Sequence, residues 1–147
     1  NGLDDRFFAH MEEIDLCWRI HRMGYDIKVI PQSSVRHLGG GSLPASNPRK
    51  TYLNFRNNLF LLYKNVPLRD NRRLLFIRRL YDTLALLMFL VKFDYQNVMA
   101  VFRAHRDFSK QCHRYSVPVD GENLLGRFPH SWRNIVVEYY LKGRKVF

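Results

Sequence analysis

Apolar residues recur at helical spacing in several stretches of the chain. In the first, Ile14, Cys17 and Trp18 stand at i, i+3, i+4, and Leu16, Ile20 and Met23 at i, i+4, i+7, the spacing of a helix face. Glu12, Glu13 and Asp15 open this stretch, and Arg19 and Arg22 lie in its last turns. Both placements suit the helix dipole. Gly24 ends the pattern as a helix C′ residue. Ile27 and Val29 then alternate with Lys28 up to Pro31, which predicts a short strand over 26–30. Residues 34–38 predict a second strand, running into Gly39-Gly40-Gly41. The Gly, Ser, Pro and Asn content of 39–48 predicts a loop and a domain boundary.

Beyond Pro48 the texture changes. Tyr52, Phe55, Leu59, Leu62 and Tyr63 predict a helix over 51–65, closed by Pro67. A longer helix is expected over 69–93 and a third over 95–112. Pro118, Gly121, Gly126 and Pro129 interrupt the chain before a short helix over 135–141. The reading divides the chain at 1–48, 49–115 and 116–147. The longest unbroken apolar run, residues 84–91, is well short of the ~20 residues that span a bilayer.

Charge separates these segments further. The chain has 147 residues and a formal net charge of +11, and the excess is concentrated. Residues 1–48 carry 5 basic and 6 acidic side chains, whereas 49–114 carry 14 basic and 4 acidic. Such a field attracts polyanions: anionic lipid, phosphorylated substrates or nucleic acid. No recognised nucleic-acid motif accompanies it. The stretch 74–93 is apolar on nearly all faces, with Arg69, Arg72, Arg73, Arg78 and Arg79 before or within its first turns. Two readings stay open for it: a helix buried in a bundle or homodimer, or one lying in a membrane interface. Two cysteines cannot build a disulfide scaffold, and no C-x-x-C pair suggests zinc. The chain begins at Asn1 without an initiator Met, and the expectation is that it is a piece of a longer protein.

The carboxylates Glu12, Glu13 and Asp15 admit two readings, one structural and one chemical. Three acids at a helix start complement the dipole at ~0.3–1 kcal/mol each, and Asp15 can pair with Arg19 at i+4. A first-turn carboxylate facing a cleft is also suited to take a proton from a hydroxyl.

Their context adds a resemblance. Gly2-Leu3-Asp4-Asp5-Arg6-Phe7-Phe8-Ala9-His10-Met11-Glu12-Glu13-Ile14-Asp15-Leu16-Cys17-Trp18-Arg19, then Gly24-Tyr25, resembles the second half of the catalytic domain of family 2 glycosyltransferases of the GT-A fold. Val35-Arg36-His37-Leu38-Gly39-Gly40-Gly41-Ser42 is similar to a further element of that family. Residues 52–65 and 139–145 look like bacterial members that build surface polysaccharide. The resemblance implies an α/β fold: the C-terminal part of a GT-A domain followed by a mainly α-helical extension, mostly helical by residue count. It implies an inverting transferase that moves a sugar from a nucleotide-diphosphate donor to a saccharide or lipid-linked saccharide acceptor. The setting implied is the cytoplasmic, inner face of the plasma membrane, with the enzyme held peripherally.

Residue by residue, the resemblance makes Glu13 the base. Glu12 would orient the acceptor or the loop, and Asp15 is the third carboxylate of the site, with a structural role. His37 would help hold a divalent cation, Mn or Mg, on the donor diphosphate. Gly39, Gly40 and Gly41 would form a loop near that diphosphate, with Ser42, Arg49 and Lys50 as phosphate contacts. His10 stands where the family has Tyr, and Glu13 where Asp is commoner. No D-x-D pattern occurs, so the nucleotide-binding half is expected outside this chain, and the chain alone should not turn over. The rival reading is a non-enzymatic basic module for membrane surfaces or nucleic acid.

Overall fold

The computed structural model describes residues 2–36, 47–118 and 143. Four α-helices carry the described chain: α1 (Glu12–Arg22), α2 (Pro48–Asn65), α3 (Leu68–Val91) and α4 (Tyr95–Gln111). A 3-10 turn, Asp5–Phe7, precedes α1, and another, Cys112–Arg114, follows α4. The helix ends follow local chemistry. Asn47 caps α2 by accepting from the Arg49 N–H at 2.9 Å, with Pro48 in its first turn. Asp94 caps α4 by accepting from the Asn97 N–H. Gly24 follows α1 at φ +86°, a conformation glycine adopts without a Cβ clash.

The α/β, GT-A-type architecture expected from the sequence is not what these residues form. The described chain is all-helical, and no strand occurs among the described residues. Residues 25–36 form neither expected strand, and Val29 is 88% exposed. The alternation of Ile27 and Val29 is local, whereas a strand exists only when another strand takes up its N–H and C=O groups. No described segment offers that partner. Residues 37–38 of the second expected strand, most of the 39–48 loop and the expected 135–141 helix lie outside the described residues.

The core lies between α2 and α4 and under the first 3-10 turn. Phe7, Leu59, Phe60, Leu61, Phe108 and Tyr115 form its buried cluster. The Phe60 ring meets Phe108 at 5.2 Å and Tyr115 at 4.7 Å between centroids, within the range of favourable aromatic pairs. Ala100 and Ala104, both fully buried one turn apart, let α4 approach its neighbours closely. The face that α2 buries is the expected one only in part: Leu59 is in the core and Tyr63 packs against it. Leu53, Leu59, Phe60 and Leu61 are buried with Asn57 and Asn65, while Tyr52, Phe55 and Leu62 are only partly covered.

Polar contacts explain the shift, those of Asn57 foremost. The Asn57 amide nitrogen donates to the carbonyls of Phe7, Ala9 and His10 at 2.9, 2.7 and 2.9 Å. Its oxygen accepts from Arg56 Nε. Arg56 also reaches the carbonyls of Arg6 and Phe7. Asn71, buried at the start of α3, donates in the same way to Leu62, Tyr63 and Val66; Leu62 also accepts from the Val66 N–H, and the other two are carbonyls at the end of α2 that the helix itself does not satisfy.

Asn57→Ala should therefore destabilise the chain by about 3 kcal/mol, since each carbonyl left buried and unpaired costs ~1–3 kcal/mol. Urea denaturation should show a lower midpoint at unchanged slope.

Candidate functional site

The loop that leads into α1 is bent against the preferences of its residues. Phe8, His10 and Met11 have φ of 65°, 69° and 73°. Non-glycine residues in such conformations cost of order 1–3 kcal/mol each and persist only where their surroundings enforce them. Asn57 and Arg56 enforce them here, by holding the carbonyls on either side of Phe8. Met11 then opens α1 without a side-chain cap, and Glu12 and Glu13 occupy the first turn beside the unpaired N–H groups.

The three carboxylates diverge in what surrounds them. Asp15 is fully buried and is engaged by three donors: Arg19 Nε at 2.9 Å, Lys64 Nζ at 2.9 Å and Asn65 Nδ2 at 2.8 Å. It has no lone pair facing a cleft and cannot meet a substrate in this arrangement; it locks α1 to α2. Glu13 is exposed. Glu12 is half-buried, and its Oε2 is sheltered without a hydrogen-bond partner among the described residues, as is His10 Nε2.

Lys64 also pairs with Asp4 at 2.6 Å. Asp4 accepts from Arg6 as well, through both carboxylate oxygens. The Arg6 guanidinium, followed by the Lys64 ammonium, outweighs partial burial and holds the Asp4 carboxyl well below the usual carboxylate range. Arg6 in turn lies 4.2 Å over the Tyr115 ring, and burial pushes the Tyr115 phenol up.

Of the expected phosphate contacts, Arg49 comes to the strained loop: its guanidinium lies 4.9 Å over the Phe8 ring. Lys50 is half-buried one residue on, in the first turn of α2. His37, Gly39, Gly40, Gly41 and Ser42 lie outside the described residues. Among the described residues no group of three or more His, Cys, Asp or Glu side chains is arranged to hold a metal ion. They do not supply the donor set that a divalent cation requires. The chemistry open to them is proton transfer and the binding of anions.

Sequence reasoning missed the cationic cavity on the side of the Asp15 network. It has a volume of about 380 Å³, and Arg6, Arg19, Arg22, Lys64 and Arg114 line it together with Ser116. Asp4 and Asp15 neutralise part of that charge, and Arg22 and Arg114 are exposed. The signal for the α2 part of the network was present, since Arg56-Asn57 and Lys64-Asn65 repeat a basic–amide pair eight residues apart, which returns to one side of a helix.

Comparison with protein-family models, curated proteins and solved structures finds no match to this chain.

Because the Asp4 carboxyl is held below its ordinary value of 3.8, the folded state favours its ionised form. That stabilisation is fully present above the ordinary value and is lost as pH falls below it toward the depressed one. The Asp4 contribution to stability should be level above about pH 5 and decline in acid. Asp4→Asn should lower the plateau by about 2 kcal/mol, the size of a hydrogen bond to a charged group, and flatten the acid limb. Thermal unfolding across pH reads both effects.

Proposed function

We propose that this chain forms the acceptor side of an inverting glycosyltransferase that uses a nucleotide-diphosphate sugar. One observation carries the reading: two carboxylates, Glu12 and Glu13, stand at the end of a loop whose strain is enforced by one buried amide, Asn57, and the Arg56 guanidinium. A helix dipole needs no such loop; a base that must be aimed does. The resemblance of residues 2–19 to family 2 glycosyltransferases supplies the reaction class. The proposal concerns the activity alone, since the described residues are not α/β.

In this reading Glu13 takes the proton of the acceptor hydroxyl as its oxygen attacks the anomeric carbon. The new C–O bond forms as the bond to the diphosphate breaks from the opposite face, and the leaving group departs with the electron pair. Glu12, sheltered and with one unpartnered oxygen, orients the acceptor. Arg49 and the cations of the neighbouring cavity attract phosphate-bearing groups. Donor-sugar selection and the D-x-D element belong to residues outside these 147, and lipid-linked saccharides are the acceptor class we assign.

In the full-length protein, Glu13→Gln should lower turnover ~10²–10⁴-fold while donor binding and melting temperature stay nearly unchanged. The assay is nucleoside-diphosphate release from a panel of nucleotide sugars, with and without saccharide acceptors. Asp15→Asn should differ by lowering stability by several kcal/mol along with activity, because it leaves Lys64 and Arg19 without their buried counter-charge. A Glu13→Gln enzyme that keeps more than about half its turnover, set against the loss expected of a missing base, excludes the assigned role. Absence of any transfer by the intact wild-type protein favours a non-enzymatic basic module.

A further inference from the structure

Helix α3 is built inside out. Its two buried residues are polar, Asn71 and Asp82. Asn71 binds the end of α2, and Asp82 is held by Arg78 at 2.7 Å and His105 at 3.0 Å. Leu75 packs against the core, but many of the helix's apolar residues face the other way. Phe76, Leu80, Leu84, Leu87 and Val91 follow one another at steps of three or four, each at least half exposed. At 1.5 Å per residue they form a stripe about 22 Å long. The same side runs back one and two turns to Arg73 and Arg69. The connection to α4 and its outward side add exposed Phe93, Tyr95, Met99 and Phe102. An exposed apolar surface of this extent marks an interaction site.

We infer that the outward side of α3, with the start of α4, docks on an anionic lipid surface. Charge decides between lipid and a second copy of the chain. The four acidic residues of 49–114 are all engaged within the fold: Asp82 is buried, Asp94 caps α4, Asp107 accepts from Tyr52, and Asp70 lies beside Arg69. The surface around the stripe therefore presents cations: Arg72 and Arg73 are exposed on α3 and Arg103 on α4, while Arg79 lies toward the Phe108 ring and Arg106 pairs with Asp107. A second copy would bring these charges against their own kind, whereas anionic headgroups complement them. No helix among the described residues is long and apolar enough to cross a membrane, so the helix lies in the interface plane. This inference stands independently of the transferase reading.

The test is sedimentation of the full-length protein with phosphatidylcholine vesicles, with and without one third phosphatidylglycerol. Binding should be strong only to the anionic vesicles and should weaken as salt rises. Arg72→Ala/Arg73→Ala should weaken it about 30-fold, two charges at ~1 kcal/mol each. Leu84→Ser/Leu87→Ser should weaken it at least ~10-fold. Circular dichroism and melting temperature should be unchanged in both variants, because all four side chains face outward. Equal binding to both vesicle types overturns the inference. So does absence of binding, and a dimer in sedimentation velocity that Leu84→Ser/Leu87→Ser converts to monomer would then identify a second copy as the occupant.

Discussion

The buried carboxylate of Asp15 is the constraint on which the N-terminal segment depends. An ionised group with no exposure needs its charge and lone pairs answered, and Arg19, Lys64 and Asn65 answer them from one turn below and from the neighbouring helix. Removing any one donor leaves the others to carry a buried charge, so the set is retained or lost together. Through Lys64 the same cluster reaches Asp4, ahead of the first 3-10 turn. The end of α2 thereby fixes both sides of the loop that presents Glu12 and Glu13.

Trp18 of α1 packs against the core, but the fully buried contact of this helix is polar, and that has a geometric effect. Apolar burial is non-directional and so does little to fix orientation. Hydrogen bonds to charged groups do fix it. The α1–α2 contact is thus defined in register as well as in proximity, which is what a first-turn carboxylate needs if it is to act on a substrate held by other parts of a protein.

What the sequence disclosed follows from how local each signal is. Helix ends were legible at Gly24 and Pro67, where one residue determines the outcome; the start of α2 was read at 51, three residues late, because the Asn47 cap and Pro48 were taken into the preceding loop, and the Asp94 cap of α4 was not read. The strand expected at 26–30 was misread because alternation says nothing about whether a neighbouring strand exists. The inward side of α3 was not legible either. Apolar residues on nearly all its faces gave no contrast, and its inward contacts were settled by two polar residues, Asn71 and Asp82. At the candidate site, Glu12 and Glu13 stood out through their motif, and Asp15's pairing with Arg19 through i,i+4 spacing. Lys64 and Asn65, some fifty residues away, had no signal linking them to Asp15 specifically.

The Asn57 amide has two hydrogens and three carbonyl oxygens within reach, those of Phe7, Ala9 and His10. It is oversubscribed: at any instant one oxygen shares a hydrogen or waits for one. The Phe7 carbonyl can spare one, because it also accepts from the Ala9 N–H at 2.8 Å and from Arg56 at 3.1 Å. The two hydrogens of Asn57 are thereby left for the Ala9 and His10 carbonyls, on the side of the loop that leads into α1, while Arg56 answers for the side before Phe8. Adjacent side chains on α2 divide the work, and that makes positive φ at Phe8, His10 and Met11 tenable without a glycine.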